Sequence, residues 1–509
     1  LWGFIVTALF TAFEEKANHV QMTYYYLFAI LFMVIAWLVD AIRNHQMARF
    51  WKASGVAVAA AAIGISINLS NLYHTWQYSK ESMRGKSELV KKNSANQTDS
   101  GLDRDSITQW SSGPRETWPL LVPNTKGGAS VPMAANGKAM EKADPNYMQA
   151  YQSIGQYWGN QPMTSGPVYV GAFVLMLFVL GLFIVKGPMK WALLAATILS
   201  ILLSWGRNFM GFTNFFIDYV PMYAKFRTVA SILVIAEFTI PLLAMMALKR
   251  IVDEPDLLAK KARWVYASFA LTGGLALLFW LAPGLFFSQF VSNNEMMQFN
   301  QIAQQGPDAA QFINGFKGNL VEVRKYIFSA DALRSFFIVL IGLALLMLYR
   351  FKKLNSRILV ACIAVLCLID MWQVDKRYLN DNMFVEKSVR DTPQQMSATD
   401  EQILRDKALD YRVLNLATNT FNENTTSYYH KSIGGYHAAK LRRYQEMIDV
   451  HIAPEMQKTM KAVAEAGGDM TKVNGDSIFP VLNMLNTKYF ILPLQGGQTV
   501  PVQNPYAYG

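Results

Sequence analysis

Residues 228–263 read TVASILVIAEFTIPLLAMMALKRIVDEPDLLAKKAR, a mostly apolar run of 21 residues followed by a turn crowded with cations. An α-helix needs roughly 20 residues to cross about 30 Å of hydrocarbon, so the run predicts a membrane span and the turn its flank. The same pattern recurs along the chain. Further apolar runs cover 22–41, 53–70, 167–185, 189–204, 265–285, 335–349 and 358–371, and residues 1–12 read as the tail of another helix. The shorter runs gain length from aromatic or snorkelling ends. A polytopic α-helical membrane protein is predicted, with eight or nine transmembrane helices.

Every second gap between runs is basic. Loops 42–52, 186–190, 249–264 and 350–357 hold 14 lysines and arginines against Asp253, Glu254 and Asp256, a net +11 that equals the charge of the whole chain. Basic loops stay cytoplasmic, which turns segments 13–21, 71–166, 205–226, 286–334 and 372–509 outward. The high pI is therefore topology and not a nucleic-acid footprint. Cys362 and Cys367 both fall inside the last apolar run, so no disulfide framework is expected in the outer parts.

The predicted organisation is a transmembrane domain over 1–371 and an outer α/β domain over 372–509. Within 71–166, SKESMRGKSELVKKNSANQTDSG is polar and low in complexity and predicts a mobile stretch, whereas WSSGPRETWPLLVPNTKGGAS reads as an ordered loop. Segment 286–334 reads as helical and polar, broken at Gly306-Pro307. In the outer domain YRVLNL (411–416) and KYFILP (488–493) read as strands, with helical spacing and a break at Pro454 between them. The chain starts at Leu1 in mid-helix and ends soon after a strand, and it reads as an internal piece whose sheet continues beyond residue 509.

Soluble-enzyme motifs are missing: no P-loop, GxGxxG fingerprint, zinc-spaced Cys/His set or GxSxG elbow occurs. What remains are polar groups at the outer membrane surface. His19, with Glu14 and Glu15, stands where a short outer loop meets a span and can serve as an acid, a base or a phosphate contact; the plainer reading is a helix cap with solvated charges. Arg207, Lys225 and Arg227 flank an amphipathic surface segment and suit either a lipid-linked phosphate or ordinary headgroup anchoring. Glu237 lies about ten residues, roughly 15 Å, into its run, where a carboxylate needs a cavity or a partner. Around Gly434-Gly435, His430, Lys431, Tyr436, Lys440 and Arg443 offer an anion or saccharide site, with Lys440 and Arg443 on one face of a helix near its start; a solvated basic helix is the alternative.

Six stretches carry a resemblance: NHVQMTYY, SSGPRETWPLLVPNTKGG, YWGNQPMTSGPVYVGA, LSWGRNF…DYVPMYAKFR, TSYYHKSIGGYHAAKLRRYQ and LNMLNTKYFILP. Taken in order, across nearly all of the chain, they resemble the bacterial YfhO-type membrane protein family. The resemblance implies a GT-C-like fold in the bacterial cytoplasmic membrane, with an extracytoplasmic C-terminal domain. It also implies transfer of a sugar from a polyprenyl-phosphate donor to a cell-envelope glycan or glycolipid on the non-cytoplasmic face. GT-C enzymes carry an essential acid in the first outer loop, which this piece begins too late to contain. The catalytic base thus stays unassigned, with Glu14, Glu15 and His19 as candidates, and His19, Arg207, Lys225 and Arg227 as donor-phosphate or sugar contacts. Some GT-C members use a divalent metal ion and others none, so both stay open. The expected chemistry is inversion at the anomeric carbon, with a carboxylate acting on the acceptor hydroxyl and cations on the departing phosphate. A lipid or polysaccharide transporter or flippase, which would use Glu237, and a non-enzymatic scaffold of an envelope complex are the competing readings.

Overall fold

The structure is a computed structural model describing residues 1–89, 94–98, 101–287 and 289–508. The chain divides into two compact units: Leu1–Ser70, Asn96–Thr98 and Asp103–Asn380 form the first, and Asn71–Ala95, Asp99–Leu102 and Asp381–Gly509 the second. Segment 71–95 thus belongs with the α/β part and not with the helical one.

The first unit is a helical bundle with a multi-pass membrane character. Among the described residues six helices are long and apolar enough to cross a bilayer: Val20–Arg43, Met47–Ser66, Val229–Asp253, Ala262–Leu281, Pro307–Arg350 and Ser356–Asp375. A seventh span arises only if the pair Met189–Ser204 and Gly206–Tyr219, bent by 107°, is taken as one. Hydropathy leads to an expectation of eight or nine spans; six, or seven with the bent pair, meet the length and composition of a span among the described residues. The 167–185 run forms a helix only over Ala172–Ile184, whose 13 residues reach about 20 Å. Its N-cap is Gly171, which adopts φ +93°, and residues 167–170 before it form no regular element. The N-terminal run lies in a helix of 15 residues, Trp2–Lys16.

Pro307–Arg350 is a single rod of 44 residues, about 66 Å long. Gly306 breaks the chain before it, and Pro307, whose missing N–H is harmless in a first turn, opens it. Its polar half and its apolar stretch 335–349 are thus one helix. The core gathers where Ala172–Ile184, Val229–Asp253 and this rod meet, through Phe173, Leu177, Leu180, Ile240, Leu243 and Val339. Gly181 lets the first two helices approach: a Cβ there would lie 2.9 Å from Leu243 Cγ.

The second unit is built on a three-stranded sheet in the order β1 (Arg412–Asn415), β2 (Thr487–Pro493), β3 (Thr499–Gln503). β1 and β2 run parallel and β3 antiparallel to β2, with Phe490 opposite Val502. The third strand, β3, was not foreseen from the sequence. Pro501 is tolerated there because β3 is an edge. Leu414, Ile448, Ile452, Phe479, Leu482 and Phe490 form the core. The helical stretch does not break at Pro454: a π turn over Ile448–Ile452 joins Arg442–Met447 to Ala453–Glu465, and the proline sits in the first turn after it. Of the polar stretch 79–101, residues 90–93 and 99–100 lie outside the described residues, and 69–81 form a helix.

Candidate functional site

Three separated pieces of the first unit enclose a cavity of about 190 Å³: the 112–128 loop, the 157–168 segment and the start of helix Val229–Asp253. Ser112, Glu116, Lys126, Tyr157, Thr228 and Ser231 supply its polar wall, and Pro119, Pro123, Val168 and Leu233 its apolar wall.

Local rules build the first piece. Pro114 opens a 3-10 helix over Pro114–Leu120, and Glu116 in its first turn folds back on the donors that helix leaves free. Its buried carboxylate accepts from the Gly113 N–H at 2.5 Å, from the Asn160 N–H at 2.9 Å and from the Tyr157 hydroxyl. Tyr157 in turn accepts from the Gln161 N–H at 3.0 Å. Burial first, and then the Glu116 charge, push the Tyr157 phenol far up, so it stays a donor.

The second 3-10 turn, Pro123–Lys126, ends on two left-handed glycines, Gly127 at φ +86° and Gly128 at φ +80°. Both are also sterically required. A Cβ on Gly127 would lie 2.0 Å from the Gln156 carbonyl, and one on Gly128 2.2 Å from the Tyr378 hydroxyl. The turn is tied down on each side. The Asn124 N–H donates to Asp331 at 3.0 Å, and Arg377 pairs with that aspartate through two contacts of 2.7 Å. The Trp158 N–H donates to the Lys126 carbonyl at 3.1 Å. Arg324, fully buried, stacks 5.0 Å from the Trp158 ring, pairs with Glu295 at 2.6 and 2.9 Å and donates to the Phe290 and Gly155 carbonyls.

Lys126 therefore has a fixed backbone and an uncommitted side chain. Among the described residues its Nζ makes no hydrogen bond and no ion pair. Burial, and after it the positive charges of Arg115 and Arg324, push its ammonium down to about 8, against the opposing pull of Glu116 and Glu295. An amine near 8 in a polar cavity can change protonation state close to neutral pH, which suits either proton transfer or anion binding.

The residues singled out from sequence stand elsewhere. His19 is exposed at the head of Val20–Arg43, and Glu14 accepts from Thr23 at 3.0 Å. Gln21 donates to the Arg227 carbonyl at 2.6 Å and Tyr24 to the Pro221 carbonyl at 2.7 Å, which brings that helix end beside the segment carrying Lys225 and Arg227. Arg207 is engaged by the protein itself: it donates to the Thr108 carbonyl at 3.0 Å and to that of Gln109, while its N–H bonds Ser111 at 2.9 Å, next to the cavity's Ser112. Glu237 lies in the first turn of the α-helical part that starts at Val234, exposed on this unit's surface and turned away from its core.

In the second unit the five proposed contacts are each engaged with a different partner. His430 is buried against Asp400 at 2.9 Å, and Lys431 donates to the Leu409 carbonyl at 2.5 Å. The Tyr436 N–H bonds Asn424 at 3.0 Å, Lys440 donates to the Phe421 carbonyl at 3.2 Å, and Arg443 pairs with Glu88 at 2.6 Å. The helix starts at Arg442, so Lys440 precedes it and shares no helix face with Arg443.

Glu116, Lys126, Tyr157 and Ser231 were not singled out by sequence reasoning. The available signal was the Trp-, Pro- and Gly-rich character of 110–130 and the paired glycines after Lys126. Among the described residues no three His, Cys, Asp or Glu side chains group as a metal site. Compared with protein-family models, curated proteins and solved structures, the chain matches none.

Proposed function

We propose that this chain is a GT-C-like membrane glycosyltransferase of the bacterial cytoplasmic membrane, acting on the non-cytoplasmic face. It would take a sugar from a polyprenyl-phosphate donor and give it to a cell-envelope glycan or glycolipid. One observation supports this best: the cavity borders the starts of helices Ala172–Ile184 and Val229–Asp253, and the basic turns 186–190 and 249–264 follow their ends. By the positive-inside rule a cavity at the opposite end from those turns opens away from the cytoplasm. The second unit would then lie outside the membrane.

The wall chemistry suits such a donor. Thr228, Ser231 and Ser112 place hydroxyls on the cavity wall that can donate to phosphate oxygens. Phosphate is a good leaving group, so positioning and charge stabilisation carry more of the rate than protonation of the leaving oxygen. A divalent metal ion remains compatible with that scheme.

The test is turnover in proteoliposomes given a polyprenyl-phosphate sugar and a glycolipid acceptor, with released polyprenyl phosphate as the readout. Ser231→Leu, which fills the cavity, is expected to abolish release while the protein still elutes and melts as folded. Donor crossing the bilayer with no release would make the chain a carrier instead.

A further inference from the structure

We propose that a groove between helices Trp2–Lys16 and Met47–Ser66 binds one anionic glycerophospholipid, its phosphate held by Arg49 and Lys52. The inference needs the first unit to span a membrane but does not need the transferase reading. Gly3 and Phe4 share the groove with Arg49, Lys52, Ala53 and Ala57, whereas Ala8 and Thr11 meet Gly64 farther along, so the two helices run parallel. They touch at one end only. A Cβ on Gly64 would lie 2.6 Å from the Ala8 carbonyl oxygen and 2.7 Å from Thr11 Cβ, and Ala60 beside it is fully buried. At the other end a Cβ on Gly3 would meet nothing within 4 Å, and Val56 is half exposed. The space between is about 720 Å³, within the range of ligand clefts.

Its wall is apolar and its rim is cationic. Arg49 and Lys52 are exposed and lie three residues apart, neighbours on one helix face. Among the described residues neither makes a hydrogen bond or an ion pair. Both sit in the first two turns, where positive charge opposes the helix dipole, and Gln46 before them supplies no side-chain cap. A phosphate between the two cations relieves both defects, and the acyl chains cover the groove that the small residues leave open. A headgroup with a cation of its own, such as choline, satisfies the rim less well. By the positive-inside rule loop 42–52 is cytoplasmic, so the lipid comes from that leaflet, whose anionic lipids attract cations near a span.

The test is photolabelling of the protein in liposomes carrying a trace of diazirine-tailed phosphatidylglycerol or of phosphatidylcholine with the same tail. Mass spectrometry reads the label on residues 1–7 and 53–57. Helix Ala262–Leu281, entered after Lys260 and Lys261, is the internal standard for cations flanking a span. The glycerol-to-choline labelling ratio is expected to be at least about fivefold higher in the groove than on that standard. Arg49→Gln with Lys52→Gln should bring it to the standard's value, and Arg49→Lys should keep most of it. Ala53→Trp, which fills the groove at unchanged charge, should cut the phosphatidylglycerol label there. A wild-type ratio equal to the standard's, or a preference that survives loss of both cations, overturns the proposal. Loss of the preference on adding free glycerol 3-phosphate also overturns it, making the rim a seat for soluble phosphate esters. If the double variant fails to fold, the wild-type ratio and Ala53→Trp decide.

Discussion

Cyanate carbamoylates amines only in their neutral form, so its rate at a lysine reports how much free amine that lysine presents. At pH 8 a lysine with the ordinary value near 10.5 is roughly 0.3% neutral, whereas Lys126, held at about 8, is roughly half neutral. The ratio is on the order of a hundredfold, and cyanate is small enough for a cavity of about 190 Å³. Mass spectrometry of the Lys126 peptide, timed against an acetylated lysine amide in the same tube, measures it. Glu116→Gln removes a charge that favours the ammonium, so the pH midpoint of labelling is expected to move down. The same displacement has a stability consequence. Between about 8 and 10.5 the unfolded chain keeps the proton that the folded chain has lost, so folding gains stability as pH rises through that window. Lys126 reacting no faster than the free amide, with the protein folded, would refute this reasoning.

Three other outcomes are expected. Gly127→Ala must hold a side chain at φ +86° and push its Cβ against the Gln156 carbonyl; the backbone alone costs about 1–2 kcal/mol, so a clear loss in melting temperature is expected. Arg324→Met strands the buried Glu295 carboxylate and is expected to cost about 3–5 kcal/mol, whereas adding Glu295→Met should recover much of it; equal melting of the single and double variants would contradict the pairing. In the second unit burial works against the Asp400 carboxylate, yet Ser397 and His430 hold its acid below the ordinary 3.8. That contribution is full above 3.8 and is lost as pH falls through the lowered value, so hydrogen exchange at β1 and β2 should be less acid-sensitive in Asp400→Asn than in wild type.

The spans were legible because hydropathy and cation counts are local properties. Their number was not, because the 107° bend after Ser204 and the restriction of the 167–185 run to the helix Ala172–Ile184 appear only in the folded chain. β1 and β2 announced themselves through β-branched and aromatic residues, while Pro501 hid β3. Arg207 looked like a phosphate ligand because residue type says nothing about the Thr108 and Gln109 carbonyls that occupy it. Lys126 escaped notice for the converse reason. Its setting depends on burial and on residues 116, 295 and 324, which only the folded chain assembles around it.

Arg324 and Asp331 sit seven residues apart on the rod, two turns and so nearly one face, and each grips the polypeptide that frames the cavity. With the apolar stretch 335–349 in a bilayer and the polar half outside it, the rod would act as a lever with its fulcrum at the membrane surface. A change in bilayer thickness that tilts the buried end swings the grip points by a comparable angle. The geometry around Lys126 would thereby follow the thickness of the bilayer around the rod.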